Sequence, residues 1–125
     1  MAKNLGCIKL LLWIGIVLFF IWFLTFCFAP ESLLASMSFM ETQRFFLRMY
    51  GIFPLGWAVL FLLALKDAEK NIAIINGAII TGALVIISIV VYHLVESTTG
   101  WFHWLSAVVL LVFNALLFVC RPKPA

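Results

Sequence analysis

The sequence predicts an all-α, polytopic membrane protein: an antiparallel bundle of four transmembrane helices with both termini in the cytoplasm. Of its 125 residues, 66% are hydrophobic and only 10% are charged, whereas a soluble domain carries about 25% charged residues. The apolar residues are also gathered into four long runs that contain no formal charge. A chain of this length has too few charges to cover its apolar surface in water, so we expect lipid to surround it.

The four uncharged runs cover residues 10–29, 49–65, 71–95 and 97–120. A membrane-spanning helix needs roughly 17–25 apolar residues, so each run is long enough to cross a bilayer. The second run is the shortest, and we expect it to recruit residues 45–47 as its first turn while the neighbouring arginines reach the interface. The prediction is one domain, residues 1–125, with spans at about 10–29, 45–65, 71–95 and 101–120.

The first run resembles the start of a secretory signal because Lys3 and Lys9 flank it. A signal peptide has a shorter apolar region, about 7–15 residues, and ends in small residues at its cleavage site. Here the run ends with the bulky Phe26 and Phe28. We therefore expect this segment to remain in the mature protein as a membrane helix.

The distribution of lysine and arginine predicts the orientation in the membrane. With the N-terminus in the cytoplasm, the outer side carries only Arg44 and Arg48, and the inner side carries six basic residues: Lys3, Lys9, Lys66, Lys70, Arg121 and Lys123. Short cytoplasmic loops are enriched in such residues. We expect a multi-pass protein of the bacterial inner (plasma) membrane.

The second helix contains Gly51, Pro54 and Gly56 just below the two arginines. Proline removes one backbone hydrogen bond and favours a kink, which neighbouring helices in a membrane can accommodate. Such a kink could open a small cavity towards the outer side. A bent, tightly packed helix without a cavity is the simpler expectation.

The third helix carries small and weakly polar residues near one face, and we expect them to form a packing face, with a substrate groove as the alternative. They are Ala73, Gly77, Thr81, Ser88 and Tyr92. Asn76 and Asn114 lie within about two turns of the predicted inner helix ends, and we expect them to make hydrogen bonds between helices.

Several polar side chains converge at the predicted outer end. The candidate ligand-binding residues are Arg44, Arg48, Tyr50, His93, Glu96 and His103. Arg48 lies one turn deeper than Arg44, and an arginine at that depth needs a partner. We expect that partner to be Glu96, in preference to Glu41. The cluster then serves either as an interfacial group of ion pairs or as a pocket for an anionic or quinone-like head group.

Catalytic and metal-binding signatures are missing from the sequence. No acidic residue lies in the middle of a span, and no Ser/His/Asp set, Gly-rich phosphate loop, HExxH or CxxC motif is present. His93, Glu96 and His103 do not follow a known metal-ligand spacing. The three cysteines, Cys7, Cys27 and Cys120, are scattered, and we expect free thiols without a disulfide. We expect no catalytic residue, no metal and no cofactor.

Several short motifs resemble small bacterial four-helix membrane proteins of the BphX-like group, which are related in architecture to DoxX-like proteins. They are Phe28-Ala29-Pro30-Glu31, Arg44, Arg48, Tyr50-Gly51, Leu55-Gly56 and Ala64-Leu65. The resemblance implies a four-span helical fold and an accessory or uncharacterised role. It implies no catalytic residue.

Two functions remain open from the sequence. The first is a non-catalytic accessory or interaction role. The alternative is a membrane-embedded binding protein or carrier for a lipid-like or quinone-like ligand near Arg48. The expected partner is the lipid bilayer, together with a second copy of the chain in a homo-oligomer or the members of a larger membrane complex. The charge pattern shows no basic and aromatic tract of the kind that binds nucleic acid.

Overall fold

The computed structural model describes the backbone of residues 2–37, 39, 41–96 and 100–121, and the side chains of 6–37, 39, 46–95 and 100–121. Within these ranges all regular structure is helical. The helices are α1 (Ala2–Phe28), α2 (Glu31–Ser36), α3 (Glu41–Tyr50), α4 (Ile52–Lys66), α5 (Ile72–Glu96) and α6 (Trp101–Cys120).

Within the part of the chain that the structure describes, four helical segments are long and apolar enough to cross a membrane: Gly6–Phe28, Phe46–Lys66, Ile72–Val95 and Trp101–Cys120. They confirm the predicted spans to within a few residues. The second includes Phe46 and Leu47, as expected. We call the end that holds Cys7, Cys120 and the turn 67–71 the terminal side, and the end that holds residues 29–37, 39 and 100 the loop side.

The connection after α1 contains the short segment that the sequence predicts. Pro30 ends α1 because the residue before a proline is disfavoured in the helical conformation, and α2 follows directly. Leu34 and Met37 are buried, and Phe39 packs against them. The connection is therefore folded back onto the long helices.

The second span is interrupted at Gly51, between α3 and α4. Pro54 is the third residue of α4, where backbone N–H groups have no partner within the helix, so its missing donor costs little. A Cβ on Gly51 would lie 2.9 Å from Phe26 Cβ. The glycine thus permits close contact with α1 at the break, and the predicted weak point in this helix is confirmed.

Each of the four long segments packs against two others. α1 contacts α4 and α6, and α5 also contacts α4 and α6. A large cluster of buried residues fills the terminal half, with Leu12, Phe61 and Phe113 among its members. A smaller cluster, built on Ala29, Leu34 and Met37, closes the loop side. The outward faces are apolar, as lipid contact requires.

The buried face of α5 differs from the predicted packing stripe. Ala73, Ser88 and Tyr92 are exposed, so the prediction was wrong for them. The buried residues are Ile75, Ala78 and Gly82. Each is one or two positions from a member of the stripe, and one position turns a helix by about 100°. Small size alone did not distinguish a packing face from a face towards lipid.

Asn114 makes the expected hydrogen bond between helices, and Asn76 makes one to the residue that follows α6. The Asn114 side-chain amide, buried in α6, donates to the Ile79 carbonyl of α5 at 3.0 Å. Arg121 Nη1 donates to Asn76 Oδ1 at 3.1 Å. The first bond joins α5 to α6, and the second joins α5 to Arg121, which directly follows α6.

Cys7 and Cys120 form a disulfide, which the sequence reasoning did not expect. Their Cα atoms are 6.0 Å apart, although the residues are separated by 113 positions. The expectation of free thiols was wrong for this pair because pairing depends on α1 lying beside α6, which spacing along the chain does not reveal. Cys27 is free, as expected.

Candidate functional site

A cavity of about 340 Å³ lies between the two buried clusters, in the loop-side half of the molecule. Ligand pockets generally have volumes of about 300–1,000 Å³, so it is large enough for a small molecule. Phe53 and Pro54 line it just after the break in the second span at Gly51. The simpler expectation, a bend without a cavity, was therefore wrong.

The four membrane spans each contribute residues to the cavity wall. On α1 the lining residues are Phe19, Trp22 and Phe26, spaced by three and four positions; on α5 they run from Ala78 to Ile89. At about 1.5 Å per residue, these eleven steps span about 16 Å along the helix. Most of the remaining wall is aromatic or aliphatic: Phe39, Leu47, Phe53, Pro54, Trp57, Thr81, Gly82, Val85, Phe102, His103, Ser106 and Leu110.

Three phenylalanines close the loop side of the cavity, and we refer to Phe26, Phe39 and Phe102 as the aromatic cap. Their ring centroids are 5.9–6.3 Å apart, with edge-to-face geometry in each pair. Aromatic quadrupoles favour such contacts. Trp101 Nε1 donates to the Ser36 carbonyl at 2.8 Å and attaches the connecting segment to α6.

Arg48 lies beside the aromatic cap, at the end of α1. Its Nη2 donates to the Ala29 carbonyl at 2.5 Å, and its Nη1 donates to the Phe26 carbonyl at 3.5 Å. Carbonyls at a helix end lack partners within the helix and carry its negative dipole end. α1 has no basic residue in its own last turn, so Arg48 supplies the cation from another helix.

The remaining candidate site residues lie in different surroundings. Tyr50 is exposed and stacks between Phe46 and Phe53, with centroid distances of 6.4 and 5.8 Å. His93 contacts the edge of Trp104, with ring centroids 5.0 Å apart. Among the described side chains of the predicted set, His103 alone lines the cavity.

The side chains of Glu41, Arg44 and Glu96 lie outside the described residues. The pairing of Arg48 with Glu96 therefore stays a prediction. It remains compatible with the contacts of Arg48, because a guanidinium has five N–H donors and the two described bonds occupy two of them.

His103 is held in place at the start of α6. Its Nδ1 accepts a hydrogen bond from the Gly100 backbone N–H at 3.3 Å, in the way that a side chain at this position often reaches back to the residue before a helix. Its ring lies 5.0 Å from that of Phe39. These contacts orient the imidazole at the loop end of the cavity.

Sequence reasoning missed most of the cavity wall. The aromatic residues at positions 19, 22, 26, 53 and 57 were interpreted only as parts of spanning helices. Their helical spacing, which places large rings on one face of α1 and of α4, was the available signal. The spacing does not show whether such a face packs tightly against the neighbouring helices or leaves a cavity between them.

Comparisons of the chain with protein-family models, curated proteins and solved structures give no match. The resemblance to BphX-like and DoxX-like proteins therefore stays a prediction.

Proposed function

We propose that the chain is a non-catalytic membrane protein that holds a lipid-soluble ligand in its aromatic-walled cavity, between helices arranged as an antiparallel bundle. Of the two functions left open by the sequence, this is the carrier or binding role for a lipid-like or quinone-like molecule. The proposed site lies deeper than the residues around Arg48 suggested. Arg48 contributes by fixing the end of α1, which carries the cap residue Phe26.

The cavity is the observation that supports this proposal. Helices in a membrane associate through close packing, and the terminal half of this molecule is packed in that way. An empty space of about 340 Å³ next to a packed core leaves its lining atoms without contacts. An apolar ligand entering from the bilayer would restore those contacts.

We expect the cavity variant Ala78→Leu to weaken binding of a decyl-substituted benzoquinone at least tenfold, because the larger side chain occupies the space of the ligand. Ala78 lines the cavity, whereas Ala83, on the same helix, is exposed. Ala83→Leu adds the same atoms outside the cavity and is the matched control. Binding is measured as the rise in the unfolding temperature in detergent, since a ligand of the native state stabilises it.

Two results would contradict the proposal. One is the absence of a temperature rise in the unmodified protein. The other is an equal rise in all three proteins, which would indicate that the quinone acts through the detergent micelle. The alternative accessory role has no separate support, because the apolar outer faces suit lipid as well as a partner helix.

We also propose that both termini are cytoplasmic, on the basis of the bias of six basic residues against two. A reporter that is active only in the cytoplasm, fused after Ala125, is expected to be active. An inactive but well-expressed fusion would reverse the orientation.

A further inference from the structure

The cavity wall contains hydroxyl groups that do not make the hydrogen bond usual for their position. Serine and threonine within helices commonly donate to a carbonyl three or four residues earlier. Thr25, Ser36 and Ser88, which do not line the cavity, do so at 2.7–2.8 Å. Thr81 and Ser106, on the cavity wall, make no hydrogen bond within the part of the chain that the structure describes.

His103 provides a third polar group, and its hydrogen bond determines which ring nitrogen carries the proton. Because Nδ1 accepts from the Gly100 N–H, the neutral imidazole carries its hydrogen on Nε2. Nε2 lies on the other side of the ring, and it has no partner among the described residues. Ser106 is three positions further along α6, on the same face. Both residues line the cavity, so its wall includes an imidazole with an N–H donor and, about one turn further along α6, a serine.

The charge and shape of the wall limit the kind of ligand that fits. Among the described residues, no charged side chain lines the cavity, and the nearby guanidinium of Arg48 donates to backbone carbonyls. An anionic group would enter without a counter-charge, at a high desolvation cost. The dense aromatic lining favours flat rings, which gain stacked or edge-to-face contacts. An uncharged acceptor on a ring satisfies these conditions.

We propose that the ligand is a flat, apolar ring compound with a carbonyl group, and that His103 recognises this carbonyl through Nε2–H. Ser106 supplies the second hydrogen bond. This inference rests on the proposed binding function and adds a specificity-determining residue to it. An ester carbonyl of a lipid has the same acceptor chemistry, but its flexible chain gains less from aromatic walls.

The test compares 9-fluorenone with fluorene, two planar tricyclic molecules that differ in having a carbonyl or a methylene at one position. We expect the protein to bind fluorenone about tenfold more tightly, which corresponds to one hydrogen bond in an apolar site. His103→Phe keeps an aromatic ring but removes the donor, and should abolish the preference. His103→Gln keeps an N–H near the position of Nε2, and should retain most of it.

Infrared spectra supply a readout that a purely structural role of His103 would not change. The carbonyl stretch of ¹³C-labelled fluorenone should move to lower frequency on binding to the unmodified protein and to His103→Gln, but not to His103→Phe. Unfolding temperatures in detergent establish that each variant is folded. If His103→Phe does not fold, Ser106→Ala tests the same carbonyl contact. This variant is expected to lose part of the preference for fluorenone over fluorene, and an unchanged preference would contradict the contact.

The outcomes separate this inference from the proposed function. If fluorenone and fluorene bind equally well, both to the unmodified protein and to His103→Phe, the inference that His103 recognises a carbonyl is wrong. The proposal that the cavity binds a ligand would not be affected by this result. Failure of both compounds to bind would overturn the two proposals together. Methyl laurate and unlabelled fluorenone can be compared as competitors for bound, labelled fluorenone. If methyl laurate displaces it at the lower concentration, the lipid ester is the preferred carbonyl compound, and the inference of a flat ring ligand is contradicted.

Discussion

Replacing Arg48 by methionine is expected to lower the free energy of unfolding in detergent by about 1.5–3 kcal/mol, the usual contribution of hydrogen bonds from a charged group. Methionine keeps much of the length of the side chain and removes its donors. The carbonyls of Phe26 and Ala29 would lose the described donors. Arg48 lies near the end of its span, where removing a charge from the membrane gains little, so the lost hydrogen bonds dominate.

Arg48→Lys serves as the graded control for this prediction. Lysine keeps the positive charge near the end of α1 but lacks the planar fork that reaches two carbonyls, so we expect an intermediate loss. Equal stability of Arg48→Met and the unmodified protein would show that these bonds contribute nothing. A double-mutant cycle of Arg48→Glu with Glu96→Arg measures the predicted ion pair separately. Recovery of stability in the double variant would support that pair.

Replacing Gly15 by leucine is expected to destabilise the protein by at least about 2 kcal/mol, within the range for overpacking a core. Gly15 is buried where α1 meets α4 and α6. Even a Cβ at this position would lie 2.8 Å from ring atoms of both Phe61 and Phe113. These rings are themselves buried, so a larger side chain has to push two helices away from α1.

Gly56→Leu is the matched control, since this glycine also lies in a membrane span and nothing lies within 4 Å of a Cβ placed there. Both substitutions replace a helical glycine by leucine, and they differ in the space available. The measurement is thermal unfolding in detergent, with the difference between the two variants as the result. Similar unfolding temperatures would show that α1, α4 and α6 do not approach as closely as described.

Sequence reasoning predicted the helices well because their signal is local. Length, lack of charge and the flanking polar turns are sufficient to define a span, and Pro54 with Gly51 is sufficient to predict a weak point. The hydrogen bonds of Asn76 and Asn114 were predictable for a similar reason. An amide side chain within an apolar helix needs a hydrogen-bond partner, whichever part of the chain supplies it.

The properties that sequence reasoning missed depend on how helices are rotated and which ones are neighbours. The packing stripe of α5 was misplaced because Ala73 and Ala78 are chemically alike, although one is exposed and the other is buried. The carbonyls to which Arg48 donates were missed because backbone carbonyls at a helix end are not visible in a residue pattern, and the pairing of Arg48 with Glu96 stays a prediction. His103 was included among the candidates, but its position in the cavity depends on Phe39, which comes from a distant part of the chain.

The bond between Cys7 and Cys120 also changes the covalent connectivity of the whole molecule. Wherever it is intact, it closes nearly the entire chain into a macrocycle that contains all four spans. One backbone cut within the connection 29–37 would then open the ring without releasing a fragment. Without reductant the cut protein would keep its full mass, and with reductant it would separate into two pieces. Proteolytic damage to an exposed connection would therefore leave α1 covalently attached to α6.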